Sequence, residues 1–204
     1  LQGDRGYDRK GAAPGNASYY YALTRLATEG TVTVDGRRHA VEGLSWMDRE
    51  WSTSALDEDQ VGWDWFSLHL SDGRDVMYYQ LRQRGGGASA FTNGALVAPD
   101  GTRTPLDAAD VTLDVLDTWT SPETGATYPS RWRLRIPSAG LDLTLVPYVA
   151  AQELDVTVRY WEGAVRVAGD AGGRPVTGSG YVELTGYDLS EEPAGEARAE
   201  GGRA

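Results

Sequence analysis

The dipeptide Asp-Gly occurs three times in the first half of this chain, at 35–36, 72–73 and 100–101. Each copy separates runs rich in Val, Thr, Leu, Tyr and Trp, the residues that pleated, half-buried strands favour. Asp-Gly supplies the positive φ angles of a two-residue type I′ turn, so each copy predicts an antiparallel hairpin. The sequence therefore predicts an all-β protein.

The rest of the chain extends this pattern. Strands are predicted near 31–35, 37–42, 62–71, 74–84, 94–98, 102–105, 111–119, 131–137, 141–148, 154–161, 164–168 and 178–187. Only Thr24–Glu29 and Leu106–Asp110 have helical character, and both are short. Because open sheet edges aggregate, so many short strands must form a sandwich or a closed barrel. Residues 189–204 are predicted to be disordered, since no large apolar residue occurs from Ser190 onward.

The composition excludes several functional classes. The 204-residue chain carries a net charge of −11, whereas nucleic acids and anionic membrane surfaces require a basic face, so neither is a predicted partner. The absence of cysteine excludes disulfides, thiolate metal sites and a cysteine nucleophile. No run approaches eighteen apolar residues, so no transmembrane segment is predicted.

No cofactor and no metal site are predicted from the motifs of the chain. The two histidines, His39 and His69, lie on different hairpins and lack metal-ligand spacing. Gly178-Ser179-Gly180 lacks the strand–turn–helix setting of a hydrolase nucleophile. Gly169–Gly173 is followed by neither Lys-Ser/Thr nor a helix, so it is a turn and not a phosphate-binding loop.

Unusual chemistry is concentrated between residues 43 and 66. Four of the seven tryptophans lie there: Trp46, Trp51, Trp63 and Trp65. One interpretation is a packed core patch, in which each indole N–H needs only one acceptor. Asp48, Arg49 and Glu50 lie between the first two tryptophans, and charges beside large aromatics are either paired or functional. They form either a salt-bridged support or a carboxylate near a ligand, with its pKa raised by apolar walls.

The hairpin at Asp72-Gly73 allows side chains to be assigned to faces. A two-residue turn pairs Ser67 with Tyr78 and Trp65 with Gln80, and paired residues share a face. That face then carries a ladder of aromatic and hydrogen-bonding groups: Trp63, Trp65, Ser67, His69, Tyr78, Gln80 and Arg82. Such a ladder indicates either the lining of a ligand cavity or an outward, solvent-facing surface.

A second aromatic cluster comprises 160–163 and 180–187. Glu162 and Glu183 occur there in otherwise apolar strands, and Tyr181 shares a strand face with Glu183. The two glutamates either cap strand ends and pair with neighbouring arginines or reach the mouth of a cavity.

Five ordered segments carry a resemblance to a known family. They are 16–26, with Asn-Ala-Ser-Tyr-Tyr-Tyr followed by Thr-Arg-Leu, and then 46–51, 62–66, 160–163 and 180–187. Together they resemble the AttH-type lipocalin-like family, over about residues 1–188. The resemblance implies a linker and first-strand region at 1–30, followed at 31–188 by an antiparallel, calycin-like β-barrel that holds a hydrophobic molecule.

This superfamily includes carotenoid 1,2-hydratases, cyclases of polyketide-type products, and bacterial proteins called predicted secreted hydrolases or found beside export systems. Its members usually carry two β-domains, the first with a Glu-Trp-Trp-Tyr signature that is absent here. The resemblance therefore implies a C-terminal domain whose N-terminal β-domain would be a partner. Related hydratases place a histidine and an acidic residue where this chain has Arg49 and Gln80.

Two functional hypotheses follow. In the first, the domain binds an isoprenoid- or polyketide-like molecule, with Asp48 or Glu50 as acid or base and Tyr78 and Gln80 orienting the substrate. The predicted site is completed by His69, Tyr181 and the four tryptophans, Trp46, Trp51, Trp63 and Trp65. In the second, the domain is a non-catalytic carrier or a structural part of an export-associated protein. The resemblance favours a secreted, periplasmic or envelope location, and a cytoplasmic location stays open.

Overall fold

Thirteen strands and one short 3₁₀ helix make up the part of the chain that the computed structural model describes, residues 1–52, 56–156 and 158–187. The strands are β1 (Tyr7–Arg9), β2 (Ala17–Val34), β3 (Arg37–Ser52), β4 (Gln60–Leu70), β5 (Asp75–Gln83), β6 (Asn93–Val97), β7 (Arg103–Asp107), β8 (Thr112–Thr120), β9 (Thr127–Ile136), β10 (Leu141–Pro147), β11 (Glu153–Asp155), β12 (Arg159–Ala171) and β13 (Pro175–Thr185). The helix covers Pro137–Ala139. The prediction of an all-β antiparallel protein is confirmed.

These strands form two antiparallel sheets. A three-stranded sheet has the order β1-β2-β3, and its main part is the long β2–β3 hairpin. The larger sheet has ten strands in the order β7-β6-β5-β4-β13-β12-β10-β9-β8, with β11 paired to β12. Helical character was expected at Thr24–Glu29, and this expectation is wrong, because the segment lies in β2 and pairs with β3.

The three Asp-Gly turns are of two kinds. Asp35 and Gly36 both have positive φ angles and join the paired residues Val34 and Arg37, as a two-residue type I′ turn requires. At 72–73 only the glycine has a positive φ, and the amide N–H of Leu70 donates to the carbonyl of Arg74. The turn at 100–101 has the same form. These two loops are therefore one residue longer than predicted.

The longer loop changes the register between β4 and β5. Trp65 pairs with Tyr79, and Phe66 pairs with Tyr78, so the predicted pairings are wrong by one residue. Because side chains alternate between faces, this shift moves Tyr78 and Gln80 to the face opposite that of Trp65.

The inner face of the larger sheet is filled by side chains. Phe66, Tyr78, Trp132 and Trp161 belong to one buried apolar cluster, in which the rings of Trp132 and Trp161 lie 6.0 Å apart. Leu106 of the edge strand β7 joins the same cluster, so the sheet curls around its core. A ligand cavity was expected inside the barrel, and the cavities described below lie instead on the outer face.

The three-stranded sheet covers part of that outer face. Tyr20 of β2 packs with Met77, Tyr79 and Leu81 of β5 in a second buried cluster. A bulge in β2, between Leu23 and Leu26, provides the anchor. There Thr24 Oγ1 donates to Asp75 Oδ2 at 2.9 Å, and Arg25 Nη2 lies 2.5 Å from Asp75 Oδ1.

Beyond the bulge the hairpin is exposed on both faces, and a Cβ at Gly30, Gly36 or Gly43 would meet no atom within 4 Å. Residues 1–30, expected as a linker and first-strand region, contain β1 and most of β2. No helix in the described ranges is long and apolar enough to span a membrane. The predicted disordered tail, 189–204, lies outside the described residues.

Candidate ligand-binding site

A cavity of about 500 Å³, the first cavity, lies between the three-stranded sheet and the outer face of β4, β5 and β13. Its floor is the strand face that carries Trp63 and Trp65, and its roof is the face of β3 that carries Asp48 and Glu50. The lining residues are Lys10, Ser18, Tyr20, Asp48, Glu50, Ser52, Leu56, Trp63, Trp65, Tyr79, Leu81 and Glu183. Aromatic and aliphatic walls with a few convergent polar groups are typical of small-molecule sites.

Three indole N–H groups are fixed by acceptors at the cavity. Trp63 Nε1 donates to Glu183 Oε1 at 2.6 Å, and Trp65 Nε1 donates to the hydroxyl of Tyr20 at 2.9 Å. Trp46 Nε1 donates to Asp48 Oδ2 at 2.7 Å. Each ring therefore has its polar edge on a partner and its apolar faces free for packing.

Asp48 is the lining carboxylate whose ionisation is most altered. Burial raises its pKa to about 6, while the hydrogen bond from Trp46 and the nearby Tyr20 hydroxyl oppose this rise and the charge of Glu50 adds to it. The Oδ1 atom is buried and has no hydrogen-bond partner among the described residues. Asp48 thus carries a proton in part of the population near neutral pH.

Glu50 has a different environment two residues further along β3. Its Oε1 accepts a hydrogen bond of 2.5 Å from Ser18 and lies 2.9 Å from Lys10 Nζ. Lys10 also lies 2.8 Å from Asp8 Oδ2 and 3.9 Å from the centre of the Tyr79 ring. Among the described lining residues Lys10 is the one cation, so it compensates the carboxylates at this end of the cavity.

Glu183 of β13 completes the set of carboxylates in the first cavity. It pairs with Trp65 across the β13–β4 ladder and with Glu162 on its other side. Burial raises its pKa, the hydrogen bond from Trp63 opposes this, and the charges of Glu162, Glu50 and Asp48 add to the rise. Asp48 and Glu183 therefore hold protons more tightly beside the apolar walls of the cavity than they would in water.

A second cavity, of about 490 Å³, adjoins the first. The two share Asp48 and Trp65, which stand between them. The second cavity is lined by Leu44, Ser45, Trp46, Asp48, Trp65, Ser67, His69, Ser179, Gly180 and Tyr181. The described residues contain no cluster of three His, Asp or Glu side chains that could hold a metal ion.

The predicted site residues are distributed over three places. Asp48, Glu50, Trp63 and Trp65 line the first cavity. Trp46, His69 and Tyr181 line the second cavity together with Asp48 and Trp65. The ring centres of Trp46 and His69 are 5.5 Å apart, and His69 Nε2 bonds the carbonyl oxygen of Thr24.

Trp51, Tyr78 and Gln80 lie elsewhere. Trp51 lies on the opposite face of β3 from Asp48 and Glu50, where it is half exposed and stacks on Tyr19 with 5.7 Å between ring centres. Tyr78 is buried in the core inside the curled sheet, and Gln80 pairs with Asp64 on that same inner face. The longer turn at 72–73 accounts for the positions of Tyr78 and Gln80.

Several lining residues were missed by sequence reasoning. Lys10, Ser18 and Tyr20 fall in the segment taken as a linker, and Tyr79 and Leu81 were assigned to packing. The apolar and hydroxylated run at 17–23 was a usable signal for an additional strand. The contact between that strand and β5 spans more than fifty residues, which local patterns do not encode.

The curled antiparallel sheet is a lipocalin-like fold of the kind that binds hydrophobic ligands. A family model described as AttH-like matches residues 1–187, and the chain belongs to this family. The crystal structure of a protein described as AttH from Nitrosomonas europaea superposes with a TM-score of 0.82 at 36% sequence identity, over 92% of this chain and 58% of that one.

Kievitone hydratase from Nectria haematococca shares the fold with a TM-score of 0.72 at 24% identity, over 90% of this chain and 56% of that one. The chain thus spans a little more than half the length of both solved relatives. No curated protein sequence matches the chain significantly.

Proposed function

We propose that the first cavity binds a hydrophobic small molecule of isoprenoid or polyketide type and that Asp48 is a general acid for the addition of water to an alkene of that molecule. The observation that carries the proposal is a carboxyl group with a pKa raised to about 6 within an aromatic cavity. A general acid works best when its pKa lies near the working pH. The name of the related kievitone hydratase supports the reaction class.

In the proposed reaction Asp48 gives its proton to one alkene carbon, and the π electron pair forms the new C–H bond. The more substituted carbon becomes a cation, which the faces of Trp63 and Trp65 stabilise by cation–π attraction. A water molecule then forms the C–O bond and releases one proton. Glu50 accepts that proton, and exchange with solvent returns both carboxyl groups to their starting states.

The division of roles between Asp48 and Glu50 follows from their surroundings. Burial against aromatic rings favours the protonated form of Asp48, and the hydrogen bond from Trp46 offsets only part of this effect. Glu50 is 39% exposed at its side chain and lies 2.9 Å from the Lys10 ammonium, so it is open to solvent, with which it can exchange the proton it accepts. Successive side chains on one strand face are about 7 Å apart, enough room for a reacting group between the two.

The test is incubation of the chain with a trisubstituted isoprenoid alkene in H₂¹⁸O, followed by mass spectrometry for a product heavier by one labelled water. Asp48→Asn should remove turnover while leaving ligand binding within about threefold, because asparagine keeps the acceptor for Trp46. Glu50→Gln should lower turnover less. Undiminished turnover by Asp48→Asn would exclude the acid role.

A non-catalytic carrier is the second candidate, and the separation of the cavities from the barrel core favours it, because a ligand can be held there without chemistry. Ligand binding measured by tryptophan fluorescence, with no labelled product under any condition, would support the carrier and contradict the hydratase.

We further propose that the exposed hairpin packs on another β-domain of the same polypeptide. Large apolar side chains of β2 and β3 are exposed there: Leu23, Leu26, Val32, Val34, Val41, Leu44 and Met47. Protection of these residues from hydrogen exchange in a longer polypeptide, but not in this chain, would support the packing. We also propose a secreted or envelope location for the protein, which cell fractionation would test.

A further inference from the structure

The first and second cavities form one continuous groove along three strands. From the first cavity to the second, β4 contributes first Trp65 and then Ser67 and His69, while β13 contributes Glu183 and then Ser179. Ser67 pairs with Tyr181 and His69 pairs with Ser179 across the β4–β13 ladder. On β4 and β13 the lining changes from Trp63, Trp65 and Glu183 to hydroxyl groups and imidazole, while β3 contributes Trp46 and Leu44 to the second cavity.

Polar atoms on the second cavity have unused hydrogen-bonding capacity. Ser67 is 4% exposed and Ser179 is exposed, and neither hydroxyl makes a hydrogen bond with another described residue. Asp48 Oδ1, on the boundary between the cavities, is buried and has no hydrogen-bond partner among the described residues. Leaving a buried acceptor unsatisfied is costly, so Asp48 Oδ1 selects for a donor on the molecule that fills the space, and the two serine hydroxyls are available to bond the same group.

The walls around these atoms are held in place. The imidazole of His69 is fixed between the carbonyl of Thr24 and the ring of Trp46. The hydroxyl of Ser45 accepts a hydrogen bond of 2.7 Å from Thr28. A ligand group in the second cavity would therefore meet an arranged set of acceptors and donors, and side-chain reorganisation would cost little affinity.

We infer that the second cavity binds the hydroxyl-bearing end of the ligand, with Ser67 and Ser179 as the residues that determine this specificity. The inference rests on the proposed binding of a hydrophobic molecule in the first cavity. The preferred ligands are then amphiphilic: an apolar chain lies in the first cavity, and a hydroxyl group passes the Asp48–Trp65 boundary. There it donates to Asp48 Oδ1 and accepts from a serine hydroxyl.

The test compares an isoprenoid alcohol, geraniol, with its methyl ether, which has nearly the same apolar body but no O–H donor. Dissociation constants are measured at pH 8 by tryptophan fluorescence with the intact chain. The alcohol should bind about tenfold more tightly, because its hydroxyl gains a hydrogen bond to the buried Asp48 Oδ1 that the ether cannot make. In the Ser67→Ala/Ser179→Ala variant this ratio should fall to about one.

Leu81→Ala is the matched control, because Leu81 lines only the first cavity. It should weaken the alcohol and the ether equally and keep their ratio. Equal binding of both ligands by the unmodified chain, or an unchanged ratio in the double serine variant, overturns the inference while the first-cavity proposal stands. If neither ligand binds to the unmodified chain, both proposals fail.

Discussion

Trp46 and Asp48 point from the same face of β3, and the indole N–H of Trp46 donates to the Asp48 carboxylate over 2.7 Å. Two residues along a strand is the shortest spacing at which side chains share a face. The contact thus holds the Asp48 carboxyl at the boundary of both cavities and counteracts the rise in its pKa that burial causes.

The first prediction concerns the pH dependence of stability at Asp48. Its folded pKa of about 6 exceeds the ordinary value of 3.8, so the folded protein binds the proton more tightly than the unfolded chain does. Asp48 therefore lowers the free energy of unfolding progressively as the pH rises from about 4 to 6, by about 2–3 kcal/mol in total.

Urea denaturation of wild type and Asp48→Asn across this pH range measures the effect. Relative to the wild type, the free energy of unfolding of the variant should increase as the pH rises. This relative increase should reach its full size above pH 7. Parallel stability curves for the two proteins would contradict the raised pKa.

The second prediction concerns Trp46→Phe. This variant keeps the packing against His69 but removes the hydrogen bond to Asp48, which stabilises the ionised carboxylate. The pKa of Asp48 should rise further, and the pH range of the stability difference defined above should move upward. Stability at pH 8 should fall by about 1.5–3 kcal/mol, the usual contribution of a hydrogen bond to a charged group. An unmoved pH range would show that Trp46 acts only through packing.

The third prediction concerns Lys10→Met. Asp8 has no exposed surface and lies 2.8 Å from the Lys10 ammonium, so removing that charge leaves a buried carboxylate without its cation. We expect a loss of about 3–5 kcal/mol in the free energy of unfolding. Arg133→Met is the matched control, because the Arg133–Asp142 pair is exposed on both sides and should contribute less than about 1 kcal/mol. Equal losses in the two variants would contradict the prediction.

The fourth prediction compares Trp51 and Trp63, two tryptophans from the same tryptophan-rich region of the sequence. Trp63 lines the first cavity, whereas Trp51 lies on the opposite side of β3. Trp63→Phe should reduce both the ligand-induced fluorescence change and the affinity for a hydrophobic ligand, by about threefold to tenfold in affinity. Trp51→Phe should leave affinity unchanged. A loss of affinity in Trp51→Phe would place the ligand on the outer side of the hairpin.

The sequence allowed the strand content to be predicted, because strand content depends on local patterns, and it singled out the region around Asp48, a residue that lines both cavities. Because side chains alternate between the two faces of a strand, the sequence also places Asp48 and Glu50 on one face and Trp51 on the other. The loop of 72–73 marks the limit of this reasoning. Asp35-Gly36 and Asp72-Gly73 are identical dipeptides, yet only the first has two positive φ angles.

Which turn forms depends on how the flanking strands pack, and a difference of one residue reverses the face of every side chain that follows. Tyr78 and Gln80 were placed incorrectly for that reason. Lys10 and Tyr20 were missed for a different reason. Their place in the cavity depends on contacts between β2 and strands far along the chain.

The position of both cavities on the outer face of the larger sheet has a consequence for ligand exchange. No strand pair of that sheet has to separate for a molecule to enter or leave, since the cavities lie between the sheet's outer face and the hairpin. Exchange rates should then depend on the Arg25–Asp75 anchor and not on the stability of the core. Substitutions on the face of β3 that covers the cavities can also change the ligand preference, while the larger curled sheet keeps its core packing.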